Sequence, residues 1–128
     1  MSGQPERWLA FAREDLQVAE ILLEAGIHNQ VCFHAQQCVE KAMKGILVQN
    51  GIVPPRVHSI TELLRLLPRS LFADIAEGLV GLDDYYISLR YPDALPGTLP
   101  QGLPGRSEAQ SALRLAREVL DRAKQPAA

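Results

Sequence analysis

The chain has 128 residues and lacks most features that assign a protein to a functional class on sight. No apolar run approaches the ~18 residues that a membrane-spanning helix requires, and the N-terminal residues have no apolar core of a signal peptide. There is no glycine-rich phosphate loop, no His-Glu-x-x-His zinc motif and no paired-aspartate motif of a nucleotidyltransferase. We therefore expect a soluble, cytoplasmic protein that does not contact a membrane.

Excess charge and cysteine are also missing. The net charge is −2, whereas proteins that bind nucleic acid mainly through its phosphates usually carry a strong basic excess. Only a local basic cleft is compatible with this charge. The two cysteines, Cys32 and Cys38, lie on one predicted helix about 9 Å apart along its axis, too far for a disulfide. We expect reduced thiols, no metal site and no cofactor.

What the sequence does contain is helical periodicity over nearly its whole length. We predict an all-α, antiparallel up-and-down bundle of four to five helices that forms one domain over residues 1–128. No segment shows the alternation of a β-strand. The predicted helices run from Pro5 to about Ala25, from Gln30 to Gln49, from Ser59 to Leu67, from Leu71 to Leu89 and from Ser107 to Lys124.

Local signals set the predicted ends of these helices. Gly26 and Asn50-Gly51 are typical helix stops. Capping boxes begin at Ser59 and Ser107, and Ser70 is the expected cap of the fourth helix, which Gly78 and Gly81 could kink. Prolines and Leu-Pro pairs recur over about residues 92–106, which predicts a long, mobile loop or lid.

The most informative segment is Phe33-His-Ala-Gln-Gln-Cys-Val-Glu-Lys-Ala-Met-Lys44 on the second helix. One broad arc of this helix is apolar and must face the core: Val31, Ala35, Cys38, Val39, Ala42, Met43 and Ile46. The opposite arc is polar with apolar neighbours: Gln36, Gln37, Glu40, Lys41 and Lys44, flanked by Phe33, Leu47 and Val48. We expect something to cover this polar arc.

This segment resembles the F-x-A-Q-Q-x-x-E-K-x-x-K signature of HEPN domains, small helical modules linked to nucleotide binding and RNA cleavage. The resemblance extends to the first helix, where Ala12-Arg-Glu-Asp-Leu-Gln-Val-Ala19 is similar to the family's A-x-x-D-L-x-x-A pattern. It implies a helical bundle, a homodimer, and a pairing with a small nucleotidyltransferase in a toxin–antitoxin-like system.

Asp15 is a polar residue on the core arc of the first helix. A buried carboxylate needs a partner, so we expect Asp15 to be a structural residue that pairs with Lys41 or Lys44. The alternative is that Asp15, Glu40 and these lysines together shape a polar pocket.

His58 and Arg90 are the candidate catalytic residues. His58 precedes the predicted Ser59 cap, in a position similar to the family's T-H-x-L element, and is either a turn anchor or an acid–base group. Arg90-Tyr91-Pro92 resembles the family's R-Y-P element; it either complements a helix dipole or binds an anion, with tyrosines available to stack on a base.

One departure from the family bears on activity. Ribonuclease members carry an arginine followed after four to six residues by a histidine, and no histidine follows Arg90 here. We therefore favour a nucleotide- or RNA-binding module over an enzyme, with Gln37, Glu40, Lys41, Lys44, Arg90 and Tyr91 as the ligand-binding residues. The alternatives are a metal-independent RNA endonuclease that uses Arg90 and His58, and a structural dimer without a ligand.

The flanking apolar residues Phe33, Leu47 and Val48 predict self-association, because apolar surface outside the core usually marks a contact. Sedimentation should show a dimer or a larger assembly. A clean monomer at concentrations of about tens of micromolar would contradict this prediction, since even a modest interface assembles in that range.

Overall fold

The computed structural model describes residues 3–87 and 103–124, and every regular element in these ranges is helical. In chain order the helices are α1 (Gly3–Glu24), α2 (His28–Gln49), α3 (Ile60–Arg65), α4 (Arg69–Phe72), α5 (Ala76–Gly81), α6 (Asp83–Ile87) and α7 (Arg106–Lys124). The predicted all-α fold class is confirmed. Most of the predicted loop at 92–106 lies outside the described residues. None of the helices in the described ranges is long and apolar enough to span a membrane.

The first two helices form an antiparallel hairpin whose ends agree with the sequence prediction. Gly26 has a φ of 77° after the end of α1, a left-handed conformation that glycine adopts without strain. Gly51 repeats this after α2, also with a φ of 77°, and the Ile52 amide donates back to the Leu47 carbonyl at 2.9 Å. These bonds satisfy carbonyls that a helix end leaves free.

The centre of the fold is α2, which packs along both α1 and α7. A Cβ built on Gly45 would lie 3.2 Å from side-chain atoms of both Trp8 and Leu9, so glycine permits the close approach of α1. At the other side, the Gln49 side chain donates to the Ala123 carbonyl at 3.3 Å, which joins the last turns of α2 and α7. The two helices therefore run in the same direction.

The chain between α2 and α7 is more broken than predicted. In place of one helix from Leu71 to Leu89 there are three short ones, α4, α5 and α6. The interruptions lie at residues 73–75 and at 82, and not at Gly78 or Gly81. Ser70 lies inside α4 and does not cap it, because the residue at the cap position is Pro68.

The interruption at residues 73–75 is stabilised by Arg122, a residue far away in the sequence. The Arg122 guanidinium on α7 donates to the Leu71 carbonyl at 2.9 Å and to both carboxylate oxygens of Asp74 at 2.8 Å each. Ile75 has a φ of −124° and a ψ of 10°, outside the helical region. The guanidinium replaces a helical hydrogen-bond partner of the Leu71 carbonyl, so the break costs little.

A second long-range contact fixes the start of α3. Ser59 accepts from the Glu62 amide at 3.2 Å, as a cap should. The remaining amides are bonded by Asp83 at the start of α6, which accepts from the Ile60 amide at 2.8 Å and from the Thr61 amide at 3.1 Å. The helix ends at Arg65, two residues before the predicted end.

The predicted cap of the last helix is wrong. The helix α7 begins at Arg106, so Ser107 lies inside its first turn. Glu108 reaches back instead, and its carboxylate accepts from the Gly105 amide at 2.7 Å. An acidic group at this end also complements the helix dipole.

The flanking apolar residues of α2 do not form the surface that the sequence suggested. Leu47 is fully buried within the chain, and Phe33 and Val48 are only partly exposed. The helical wheel misplaced Leu47 because it treats one helix in isolation, whereas neighbours cover α2 on more than one side. The expected apolar patch on this helix is therefore smaller than predicted.

The two thiols are free and buried. Burial raises the pKa of Cys32 to about 11 and that of Cys38 to about 12. A protonated thiol is a poor nucleophile and a poor metal ligand. Both cysteines act as small apolar residues of the core.

Replacing Asp83 by alanine should lower the free energy of unfolding by about 2 kcal/mol, because the variant leaves the first amides of α3 without their acceptor. Urea denaturation would measure the change. Asp84→Ala, at the exposed neighbouring position, is the matched control and should change stability by less than about 0.5 kcal/mol. Equal effects of the two substitutions would show that the cap contributes nothing specific.

Candidate functional site

The polar arc of α2, which the sequence predicted to be covered, is buried at three of its five residues, whereas Gln37 and Lys41 are partly exposed. Gln36 is fully buried, and Glu40 and Lys44 are 3% and 5% exposed. Buried polar groups must be hydrogen-bonded, and buried charges must be paired. The partners of these side chains therefore define the polar centre of the molecule.

One group of contacts joins α1 to α2 through Asp15, which is 8% exposed. Lys41 donates to one carboxylate oxygen at 2.6 Å, and the His34 ring nitrogen Nδ1 lies 3.0 Å from the other. The structure thus pairs Asp15 with one of its two predicted partners and adds a histidine. We call Asp15, His34 and Lys41 the Asp15 cluster.

The environment of Asp15 keeps its carboxylate charged. Burial by itself would raise the pKa of Asp15, but hydrogen bonds from His34 and Lys41 and the positive charge of Lys41 outweigh it and hold that pKa below its usual range. The carboxylate is therefore ionised at neutral pH and can orient both of its partners.

A second group of contacts surrounds Glu40. Lys44, one turn later on α2, donates to the Glu40 carboxylate at 3.0 Å, and its ammonium lies 5.5 Å from the centre of the Trp8 ring. The His58 nitrogen Nδ1 lies 3.2 Å from each carboxylate oxygen. We call Glu40, Lys44 and His58 the Glu40 cluster.

His58 is the most accessible ionisable group of this cluster. Its side chain is 54% exposed although its carboxylate partner is buried. The imidazole stacks on the Tyr86 ring, with centroids 4.9 Å apart and planes inclined by 21°. The backbone is fixed as well, because Gln36 donates to the His58 carbonyl at 3.1 Å. Glu40 holds one edge of the imidazole and Tyr86 covers one face, and the remainder of the ring is exposed.

The structure brings together some of the predicted site residues and not others. Glu40 and Lys44 meet His58 in the Glu40 cluster, whereas Lys41 belongs to the Asp15 cluster. Gln37 lies between the two and donates to the Gln36 side chain at 2.8 Å. Arg90 and Tyr91 lie outside the described residues.

Sequence reasoning missed His34 of the Asp15 cluster, and also Tyr86 and Trp8, which contact members of the Glu40 cluster. For His34 a signal existed, because it lies seven residues before Lys41 and therefore on the same face of α2. No local signal marked Tyr86 or Trp8, because their contacts reach across to other elements.

The chemistry of the site is that of imidazole, carboxylate and ammonium groups. Within residues 3–87 and 103–124 no group of three His, Cys, Asp or Glu side chains is arranged to hold a metal ion. The histidine of each cluster is instead held by a carboxylate through Nδ1. This arrangement fixes the ring orientation and leaves Nε2 as the atom available to exchange a proton or bind an anion.

The fold and the site define a class of small helical domain, built on a buried second helix with two carboxylate-held histidines. Comparison with known sequences identifies the family to which this helical domain belongs. The family described as HEPN domain matches residues 5–125, so the chain belongs to the HEPN family.

Known relatives are similar to this chain both in sequence and in structure. "Putative toxin MJ1304" of Methanocaldococcus jannaschii is 30% identical over 121 residues, which cover 86% of this chain and 79% of the relative. The crystal structure of TT1696 from Thermus thermophilus is similar with a TM-score of 0.78 and 37% identity, covering 94% of this chain and 96% of that one. The archaeal HEPN homologue ST0689 gives a TM-score of 0.75 and 35% identity, with 94% and 95% covered.

Asp15→Asn should lower the free energy of unfolding at neutral pH by about 2 kcal/mol, less than for a fully buried pair because Lys41 is partly exposed. The folded pKa of Asp15 is depressed, so its stabilisation is present above about pH 4, the value for the unfolded chain, and is lost as the pH falls below it. The difference between wild type and variant should therefore shrink on acidification. Asp121→Asn, on the exposed face of α7, is the control, and a difference that grows at low pH would contradict the assignment.

Proposed function

We propose that this chain is a toxin-like HEPN protein that binds a nucleotide or RNA as a homodimer and works with a small nucleotidyltransferase. The observation that carries the binding proposal is the exposed His58 imidazole, held by the buried Glu40 carboxylate and stacked on Tyr86. A fixed, accessible pair of rings suits a nucleic-acid ligand better than it suits a purely structural role.

Two features of this ring pair support a nucleotide ligand. Nucleobases stack on aromatic side chains with little dependence on sequence, and a ring pair of this kind offers such a surface. With Nδ1 turned to the Glu40 carboxylate, Nε2 is the ring nitrogen left for a ligand, and in the imidazolium form it can donate to a phosphate. Stacking with one phosphate contact requires no overall basic charge, in keeping with the net charge of −2.

The predicted ligand-binding residues divide into two roles in this proposal. Glu40 and Lys44 pair with each other inside the protein, and the Glu40 carboxylate contacts the His58 ring and fixes its orientation. Gln37 and Lys41 lie on a more accessible part of α2. Arg90 and Tyr91 follow Tyr86 by four and five residues in the sequence, and we propose that they add a cation and a further ring to the same ligand.

The toxin-like role is supported by family membership and by the name of the M. jannaschii relative. A toxin needs a partner that restrains it, and the family resemblance makes a small nucleotidyltransferase the proposed partner. Co-expression with the nucleotidyltransferase encoded next to this protein, where one exists, followed by purification through a tag on the HEPN chain, tests this. If the two folded proteins elute independently, the proposed partnership is contradicted.

The homodimer is supported by exposed apolar side chains on the first half of α1 and just after α2. Val53 is 87% exposed, Phe11 50% and Ile52 38%, so these side chains are accessible to a second copy of the chain. Val53→Asp should shift sedimentation at micromolar concentration toward the monomer, because a dimer interface excludes charge from its centre. Val80→Asp, on α5, is the control and should leave the assembly unchanged.

A second candidate function is metal-independent RNA cleavage. The specific observation in its favour is the Glu40–His58 contact, since a carboxylate that orients an imidazole is a common arrangement of a general base. The usual family spacing of arginine and histidine is missing, so the cation for the transition state would come from Arg90. We place this candidate second for that reason.

Substituting His58, Tyr86 or Arg90 by alanine should each weaken RNA binding, by about tenfold for one lost stacking or charged contact. Fluorescence anisotropy with a short labelled single-stranded RNA measures the affinity, and circular dichroism checks that each variant is folded. Arg65→Ala, which removes an exposed cation from α3, is the control. Wild-type affinity in all three variants would overturn the binding proposal.

The same RNA, incubated with purified protein in the presence of a chelator, separates the two candidate functions. The binding proposal expects the RNA to remain intact. Robust cleavage that is lost in both His58→Ala and Arg90→Ala would instead establish the endonuclease.

A further inference from the structure

The middle of α2 is closed to solvent except along one strip. Between Val31 and Leu47 every residue is buried except Phe33, His34, Gln37 and Lys41. These four form a single face of the helix, because positions three, four and seven residues apart lie above one another. We call them the α2 strip, and we propose that it is a second contact site, which binds a phosphate group of the nucleotide or RNA through Lys41 and His34.

The two proposed ligands of the phosphate are held by one buried carboxylate. Asp15 accepts from Lys41 at 2.6 Å on one oxygen and contacts His34 Nδ1 at 3.0 Å on the other, so the ammonium and the imidazole are close neighbours. Their side chains remain 28% and 26% exposed. Neither the His34 Nε2 nor a second Lys41 donor has a hydrogen-bond partner among the described residues, so both can turn to a ligand.

The charges of this cluster permit an anion to bind. The charge of Lys41 balances that of Asp15, so the pair does not repel a phosphate through its net charge. In its imidazolium form an imidazole donates from both nitrogens, so His34 can contact Asp15 through Nδ1 and a phosphate through Nε2. The uncharged Phe33 ring lies 5.3 Å from the His34 ring.

The α2 strip and the His58 ring pair are different contacts. His58 is held by Glu40 from the side of α3 and α6, whereas the α2 strip borders α1 through Asp15. Phe33, beside His34, offers a further ring for a base. This inference rests on the proposed function, because it names where a longer ligand continues beyond His58.

The experiment is an RNA-binding titration with three variants at a series of salt concentrations. Lys41→Met should weaken binding by about tenfold and reduce the slope of log affinity against log salt by about one. His34→Gln keeps a hydrogen-bond donor for Asp15 but lacks the second ring nitrogen that the phosphate would contact. It should weaken binding by about threefold, the loss expected for one hydrogen bond.

Lys124→Met, at the exposed end of α7, removes the same charge and should leave affinity within about twofold of wild type. Folded Lys41→Met and His34→Gln proteins that bind RNA like wild type would overturn the site. So would variants that change sedimentation but not affinity, because the strip would then be a subunit contact.

The failure of this inference is distinguishable from the failure of the proposed function. RNA binding that is lost in His58→Ala but unaffected in Lys41→Met removes the α2 strip alone. If wild type binds no RNA or nucleotide, the proposed function fails, and a titration with inorganic pyrophosphate followed by amide chemical shifts still tests the strip. Shifts centred on residues 34, 37 and 41 support it, and shifts elsewhere or none overturn it.

Discussion

The rest of the structure depends on the burial of a carboxylate, Glu40, in the middle of α2. A charge at 3% exposure is tolerated only with partners that offset the loss of water. Lys44 supplies the opposite charge and lies against Trp8 of α1, while His58 supplies a hydrogen bond from the other side. One buried charge therefore connects two other parts of the chain to α2, namely α1 and the segment before α3. The exposed imidazole, on which the proposed function rests, is one of the groups that this charge requires.

The parts of the fold that sequence predicted well are those fixed by local interactions. The ends of α1 and α2 follow from Gly26 and Gly51, whose backbone conformation glycine favours. The segmentation between α2 and α7 could not be predicted in this way. The sequence after Leu71 would continue as one helix, but Arg122, about fifty residues further along the chain, bonds the Leu71 carbonyl and stabilises a break there. Helical periodicity predicts which residues can form a helix, but not which carbonyl a distant guanidinium will take.

The same distinction between local and long-range interactions applies to the candidate site. A helical wheel indicated that the polar arc of α2 is covered, which holds for Gln36, Glu40 and Lys44. It also indicated that Asp15 needs a lysine, because Asp15 lies on the apolar face of α1. It could not choose between Lys41 and Lys44, since that choice depends on how α1 is placed along α2. It also placed Leu47 at a surface, although this residue is fully buried. The contacts of His34 with Asp15 and of Tyr86 with His58 were missed because each joins parts of the chain that are far apart in the sequence.

The two buried thiols allow local unfolding of α2 to be measured through their chemical reactivity. Only a thiolate reacts with alkylating or disulfide reagents, and burial keeps Cys32 and Cys38 protonated in the folded chain. Any modification must therefore pass through a state in which α2 has separated from its neighbours. The rate of thiol labelling under native conditions then measures the free energy of that opening, with no probe introduced. Both cysteines lie on the helix that carries Glu40, so the measurement samples the region on which the proposed ligand contacts depend.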